Sequence, residues 1–408
     1  MECTKCRRKF PLNSHAFRCM SCNEPIHVTY NYEELKNKIS RELFSKRERS
    51  LWRYRELLPV TDESKTISLG EGGTPLIKSS NLAAELNMEN LYFKDESRNP
   101  TGSFKDRGSS IGVSMALEIG AKIVGCTSTG NMAASLAAYA AKANLKCIIL
   151  IPHGTPIGKI LQTLIYEPTV LSVKLPYPEL YKMMFEMALN HKVYLVHSDS
   201  PMRIEGQKTI AYEICEQLNW NPPDTVIVPV SSGGNITAIW KGFKELHLLG
   251  LIDELPRLVC VQSSGCAPIV KAFKEKQPIK PWPKPETIAH SISNPNPLLA
   301  SGNQALKAIN ESKGLAVEVS DEEIIEAQKL LAKKEGLLVQ PASATTIAAL
   351  RKLIELNEVD RREIVVCILT GSGLKNMEVF GRKISRPLTV ASWNEFREKL
   401  NALISGIT

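Results

Sequence analysis

The segment Asn99-Pro100-Thr101-Gly102-Ser103-Phe104-Lys105-Asp106-Arg107-Gly108 sets one lysine between a turn of small residues and an apolar helical run from Ile111 to Leu117. Burial at such a place disfavours the charged amine and leaves a neutral nucleophile toward an aldehyde. Taken alone, the segment reads first as a surface lysine near a helix start. Two further turns bear on the choice. Ser231-Ser232-Gly233-Gly234-Asn235 follows an apolar strand pattern and opens a helical one. Its small residues let successive N–H groups converge on an anion where a helix dipole favours negative charge. Ser128-Thr129-Gly130-Asn131 offers hydroxyls and N–H groups to a carboxylate. Either turn also reads as an ordinary strand-to-helix connection, with Thr129 or Asn131 serving as a helix cap.

Taken together, these pieces match the needs of a pyridoxal-phosphate enzyme: an imine-forming lysine, a phosphate cradle, a clamp for the substrate carboxylate and a partner for the pyridine nitrogen. Thr370, closing a buried apolar run, is the candidate for the last role, and Asn131 can reach the ring oxygen. A neutral partner at the ring nitrogen weakens the ring as an electron sink. Neither GxxxxGK[ST] nor GxGxxG occurs, so nucleotide cradles fit poorly.

Four of the ten cysteines carry a different chemistry. Cys3-x2-Cys6, twelve residues, then Cys19-x2-Cys22 is zinc-ribbon or zinc-knuckle spacing. Four thiolates fill a tetrahedral ion and leave no open position, which makes the expected site structural; the competing readings are incidental thiols or a redox pair. The other six (Cys126, Cys147, Cys215, Cys260, Cys266, Cys367) stand singly in apolar runs and read as buried free thiols.

The elements that must position these groups follow from hydrophobic patterning. Strands are expected at Leu91–Lys94, Lys122–Thr127, Lys146–Ile151, Val193–Val196, Thr225–Val230, Leu258–Gln262 and Ile364–Leu369. Most are continuous apolar runs, as parallel strands covered on both faces should be. Helical patterns alternate with them at Asn131–Lys142, Arg203–Gln217, Asn235–Leu246, Asp321–Lys333 and Ala342–Leu356. The alternation predicts an α/β fold of open parallel sheets, with ligands at the carboxyl ends of the strands. A charged helical stretch is expected from roughly Tyr32 to Leu58, its basic cluster Lys36 to Arg55 forming a solvated helix face that could also attract an anionic substrate. Gln277 to Pro285 reads as an exposed loop, and His290 to Pro297 as one able to reach the cleft. The net charge of +8 is mild, and no basic stretch alternates with aromatics, so nucleic acid is not an expected partner. No apolar run is long enough to cross a bilayer, no apolar signal segment opens the chain, and the cytoplasm is the default expectation.

From about Gly70 to Lys375 the chain resembles the threonine synthases, in the tryptophan-synthase-β-like group of pyridoxal-phosphate enzymes. The segments that carry the resemblance are Asn99–Gly108, Glu71-Gly72-Gly73-Thr74-Pro75-Leu76, Arg203-Ile204-Glu205-Gly206-Gln207-Lys208-Thr209, Asn235-Ile236-Thr237-Ala238 and Pro341-Ala342-Ser343-Ala344. The cysteine head is similar to that of archaeal-type members. The resemblance implies two open parallel-sheet domains: a large cofactor-binding domain (31–110 and 205–385) and a small mobile one (111–204). A zinc-ribbon-like module (1–30) precedes them and a helical tail (386–408) follows. It implies that Lys105 carries pyridoxal phosphate, Phe104 flanks its ring, Asn131 bonds its hydroxyl and Thr370 meets its pyridine nitrogen. Ser231, Ser232, Gly233, Gly234 and Asn235 would hold its phosphate. A small phosphorylated amino acid would be bound by Ser128, Thr129, Ser198 and Arg203, with Met132 lining the same place. A homodimer is the usual assembly of such proteins.

Departures cluster where substrate choice is made. Met132 stands in place of a threonine, His197 and Ser232 in place of asparagines, Gln340 in place of a glutamate, Ser372 in place of a histidine, and the loop Ile288–Pro295 lacks an arginine. The first expectation is conversion of O-phosphohomoserine and water to threonine and phosphate. The second is β-elimination or β-replacement on serine, threonine or O-phosphoserine, and a remote third is a non-catalytic regulatory relative.

Overall fold

Runs of β-branched and aliphatic residues become strands here because both of their faces are covered. The computed structural model describes residues 1–14, 16–175, 177–198, 200–379 and 389–405. In chain order the strands are β1 (Glu2–Cys3), β2 (Ile26–His27), β3 (Leu76–Lys78), β4 (Asn90–Asp95), β5 (Ile123–Thr127), β6 (Lys146–Pro152), β7 (Thr169–Val173), β8 (Tyr194–Leu195), β9 (Thr225–Pro229), β10 (Arg257–Ser263), β11 (Leu315–Val319) and β12 (Ile364–Leu369). All seven strands expected from the sequence are present. The patterning missed β3, β7, β11 and the two-residue pair β1–β2.

Six strands form one sheet in the order β11-β10-β9-β12-β4-β3, and four form a second in the order β7-β6-β5-β8. Every pairing in both is parallel except the edge pair β3–β4, which is antiparallel. Alternation along the central strands divides the large sheet's core in two. Val226, Val228, Leu258, Cys260, Val366 and Ile368 face one apolar layer. Ile227, Val259, Val261, Val365, Cys367 and Leu369 face the other. The layer against the small sheet gathers Val124, Cys126, Ile149, Met132, Leu136 and Tyr139. The six single cysteines are all buried, as expected.

One expectation is met only in part. Tyr32–Leu58 is not a single helix but two five-residue turns, Tyr32–Lys36 and Arg41–Ser45, and a 3-10 stretch, Leu51–Leu57. Ser40 and Ser50 are extended and interrupt the backbone, with Ser40 Oγ accepting from Leu43 N–H. The basic residues there are not a uniformly solvated face either. Arg53 is buried on Glu216 at 2.7 Å and on the carbonyls of Phe44 and Arg47, and Arg47 makes a two-pronged pair with Glu56.

Met1–Lys375 folds as one compact unit and Asn376–Thr408 as a second. The second contains the helix Trp393–Ser405, on which the Trp393 and Phe396 rings stack 5.2 Å apart. Residues 386–388 and 406–408 of the expected tail, and 380–385 at the end of the expected large domain, lie outside the described residues.

Candidate active site

Strands β9, β12 and β4 are neighbours, and the three turns that leave their carboxyl ends carry the candidate chemistry. Beyond β4 the chain makes the turn that ends in Phe104 and starts the helix Lys105–Glu118 at the lysine itself. Backbone bonds tie this turn to the end of β12: Phe104 N–H to Thr370 O at 3.1 Å and Ser372 N–H to Gly102 O at 3.0 Å. Thr370 is therefore held against the lysine segment by main chain, independent of any side chain.

Lys105 Nζ sits 4.3 Å from the Phe104 ring centroid and has no hydrogen bond or ion pair among the described residues. Burial, and then the Arg203 guanidinium, push its amine well below the usual lysine range. Arg203 comes from the helix Pro201–Gln207 and is buried. It packs so closely on the lysine helix that a Cβ on Gly108 would lie 3.0 Å from Arg203 Cβ. Two residues beyond Lys105 the situation reverses. Arg107 is wholly buried and bonds Glu96 at 2.7 and 2.8 Å and Glu213 at 2.6 and 2.8 Å. Lys94 Nζ completes the group on Glu213 at 2.7 Å. Two cations and two carboxylates, all desolvated, thus pin the lysine helix to β4 and to the helix Thr209–Gln217.

The cradle Ser231–Asn235 follows β9. Gly233 has φ +92°, and a Cβ there would lie 2.4 Å from Ser301 O, so the position demands glycine. Asn235 is buried with neither Oδ1 nor Nδ2 partnered among the described residues, as are the hydroxyls of Ser103 and Ser200. A buried, unsatisfied amide at a helix N-terminus fits an anionic ligand that brings its own donors and acceptors. The carbonyl of Ser198 approaches the same turn, 3.5 Å from a Cβ on Gly234. Asn294 Nδ2 donates to Ser232 Oγ at 2.7 Å, which brings the 290–297 loop to the cradle.

From the small sheet, the turn after β5 brings Ser128, Thr129 and Asn131, the last opening the helix Asn131–Lys142. Ser128 Oγ accepts from Gly130 N–H at 3.3 Å. Asn131 faces the large sheet's turns, where Nδ2 donates to Gln340 Oε1 at 3.0 Å and Oδ1 accepts from Lys375 Nζ at 3.0 Å. Met132 is buried and belongs to the same apolar cluster as Val124 and Leu136. His197 is buried between the Phe17 and Phe185 rings, at centroid distances of 5.7 and 5.1 Å. Sequence reasoning missed Lys375, Ser103, Ser200 and the buried charge group. Unpartnered buried hydroxyls and contacts between distant segments leave no local signal.

The four head cysteines come together as their spacing implied, with all Sγ atoms within 4.8 Å of one another. The N–H groups of Lys5 and Cys6 point at Cys3 Sγ at 3.4 and 3.5 Å, an arrangement suited to a thiolate. The module is not isolated. Phe17 enters an apolar cluster with Leu150, Leu180 and Leu195. Arg18 Nη2 donates to the carbonyls of Leu298 and Ala300 at 3.2 and 2.8 Å, next to the Ser301 that walls the cradle. No described helix is long and apolar enough to cross a membrane.

Comparison with known proteins agrees with this geometry. The family model described as pyridoxal-phosphate dependent enzyme matches residues 67–371. The threonine synthase of Methanocaldococcus jannaschii is 50% identical over 391 residues, covering 95% of this chain and 96% of that protein. That of Methanosarcina acetivorans is 42% identical over 403 residues, covering 98% of each. Among solved structures, threonine deaminase isoform 2 of Solanum lycopersicum aligns with a TM-score of 0.65 at 22% identity, over 82% of this chain and 92% of that one, a likeness of fold. With the lysine turn and the Ser231–Asn235 turn at the carboxyl ends of the large sheet's strands and the Ser128–Asn131 turn reaching them from the small sheet, the chain belongs to the pyridoxal-phosphate-dependent enzymes and, within them, to the threonine synthase family.

Proposed function

We propose that the chain converts O-phosphohomoserine and water to threonine and phosphate, with pyridoxal phosphate carried on Lys105. The observation that carries the reading is the desolvated, unpartnered Lys105 amine, set at the strand ends that also carry an anion cradle. The names of the relatives supply the product.

In this reading Ser231 to Asn235 hold the cofactor phosphate by converging N–H groups, with the Asn235 amide completing the set. Phe104 lies against the ring, Asn131 bonds its oxygen and Thr370 its nitrogen. Bound there, the cofactor stabilises negative charge developing at the substrate's α and β carbons. Ser128, Thr129 and the N-terminus of the Asn131–Lys142 helix hold the substrate carboxylate, while Arg203 and Ser198 engage its phosphate. The guanidinium fork meets two phosphate oxygens at once. Lys105, released when substrate binds, takes the α-proton; its depressed basicity suits that task near neutral pH. Residues 111–204 would close over the cleft to exclude water until the phosphate has left. Structural zinc on Cys3, Cys6, Cys19 and Cys22 belongs to the same reading. Tetrahedral zinc with Zn–S bonds of about 2.3 Å sets its sulfurs about 3.8 Å apart, inside the observed span.

The test is to incubate purified protein separately with phosphohomoserine, phosphoserine, threonine and serine and identify the products by mass. Threonine and phosphate from phosphohomoserine support the proposal. Phosphate without threonine refutes it, as does turnover of the other substrates only. The visible absorbance of the bound cofactor should vanish in Lys105→Ala.

A further inference from the structure

Four side chains from three segments form one hydrogen-bonded line across the site. Lys375 Nζ donates to Asn131 Oδ1 at 3.0 Å, and Asn131 Nδ2 donates to Gln340 Oε1 at 3.0 Å. Gln340 Nε2 then reaches Thr370 Oγ1 at 3.4 Å. The first member decides the direction of all the others. An ammonium group has donors and no acceptor, so Asn131 must turn its carbonyl to Lys375 and its NH2 to Gln340. Gln340 must then accept with Oε1, which leaves Nε2 for Thr370. Gln340 fills one lone pair of the Thr370 hydroxyl; with the Ser343 hydroxyl donating between Thr370 Oγ1 at 3.1 Å and Gly371 O at 3.2 Å, the second is filled as well and the Thr370 proton is left to give away. Asn131 likewise keeps a second N–H beyond the one given to Gln340.

We infer that Lys375 is a positioning residue which, through Asn131 and Gln340, holds Thr370 as a hydrogen-bond donor toward the cofactor's pyridine nitrogen and so keeps that nitrogen unprotonated. The inference rests on the reading that Asn131 and Thr370 frame the cofactor ring. It also gives the departure at position 340 a consequence. A glutamate there could only accept; it would draw the Thr370 proton to itself and turn lone pairs toward the ring nitrogen. Lys375 is well placed to hold the line in register. Its Cε would lie 3.0 Å from a Cβ on Gly102 in the lysine turn, and its own backbone N–H is bonded to Ser372 O. Ser343 steadies the far end, with Oγ 3.1 Å from Thr370 Oγ1 and accepting from Gly371 N–H at 3.0 Å.

The test uses full-length protein freed of cofactor, back-titrated with pyridoxal phosphate and followed by visible absorbance. One well-made hydrogen bond corresponds to about tenfold in affinity. Lys375→Met should therefore weaken binding about tenfold, and Lys375→Arg should restore it to within about threefold. In a Thr370→Val background the Lys375→Met loss should shrink to about threefold, because much of its effect passes through Thr370. A full tenfold loss in that background overturns the inference. The second arm is nitrogen NMR of ring-labelled pyridoxal phosphate, which remains usable if Lys375→Met does not fold. The wild type should read an unprotonated nitrogen and Gln340→Glu a protonated one. An unprotonated nitrogen in both also overturns it. If the wild type forms no visible band with pyridoxal phosphate, the functional reading itself fails.

Discussion

Gly233→Ala is the most direct probe of the cradle, because its cost can be worked from contacts. The new Cβ would lie 2.4 Å from Ser301 O, 2.8 Å from Ser301 C and 3.0 Å from Ala305 Cβ, on a backbone at φ +92°. Ser301 cannot simply retreat, since its N–H is bonded to Ser232 O at 2.9 Å and its helix is packed through the buried Ala305. The left-handed conformation costs a residue with a Cβ about 1–2 kcal/mol. Opening the Ser232–Ser301 bond to relieve the clash adds about 1 kcal/mol. The cheapest relief is to unwind the cradle, which removes the N–H convergence that binds phosphate. Cofactor affinity should therefore fall by about 2–3 kcal/mol, roughly 30- to 150-fold. The assay is equilibrium titration of cofactor-free protein with pyridoxal phosphate, alongside thermal melting. Gly158→Ala, where no atom lies within 4 Å of the added Cβ and φ is not positive, is the control and should bind normally. Affinity of Gly233→Ala within about threefold of wild type, with an unchanged melting temperature, would show that the cradle does not depend on this glycine.

Three further outcomes follow from the charges and the cysteines. Arg107→Met leaves Glu96 and Glu213 buried without their shared cation and should cost about 3–5 kcal/mol of stability, read by denaturant unfolding; a loss under about 1 kcal/mol would mean water reaches the group. The Lys105 amine is lowered, so its neutral form persists well below the pH at which ordinary lysines protonate. The rate at which cofactor-free protein captures pyridoxal phosphate should then vary by less than about threefold from pH 7.5 to 9.5, whereas an unshifted lysine would gain about tenfold per unit. Protein purified without chelator should carry about one zinc per chain, and Cys19→Ser or strong chelation should lower the melting temperature. Because Phe17 and Arg18 reach the small sheet's cluster and the 298–300 loop, metal loss should also weaken cofactor binding. Zinc-free protein with unchanged melting and binding would separate the module from the site.

Much of the fold was legible because its signals are local. A continuous apolar run, a glycine turn and a helix start lie within about fifteen residues of one another at β9 and at β12, and the register of parallel neighbours then aligns their ends. The Tyr32–Leu58 region misled because charged residues with good helix propensity surround two serines that stop the helix, and propensity is outweighed when Arg53 and Tyr54 can bury against Glu216. β3 is only three residues long, and the apolar runs of β7 and β11 are broken by Ser172 and Glu318. Contacts such as Asn131 with Gln340 and Lys375 join residues 209 and 244 positions apart, and nothing in either segment names the other.

One contrast within a single turn of helix explains why the lysine segment reads as it does. Lys105, Asp106 and Arg107 are consecutive charges that the fold sends to three different environments. Asp106 is bent back into its own turn, accepting from Thr101 N–H at 2.7 Å and Thr101 Oγ1 at 2.6 Å, and its charge acts on Lys375 rather than on Lys105. Arg107 receives both nearby carboxylates and is held well charged by them despite burial. Lys105 is left with an aromatic ring and another cation. Had either Glu96 or Glu213 paired with Lys105 instead, the amine would stay protonated and inert toward an aldehyde. The Arg107 network therefore does more than anchor the helix: it removes from the lysine the counter-charges that would silence it. Arg107→Lys, which cannot engage both carboxylates with a planar fork, should free one of them toward Lys105. The expected signature is that the flat pH profile of cofactor capture becomes steep while the protein remains folded, and a profile that stays flat in that variant would refute this coupling.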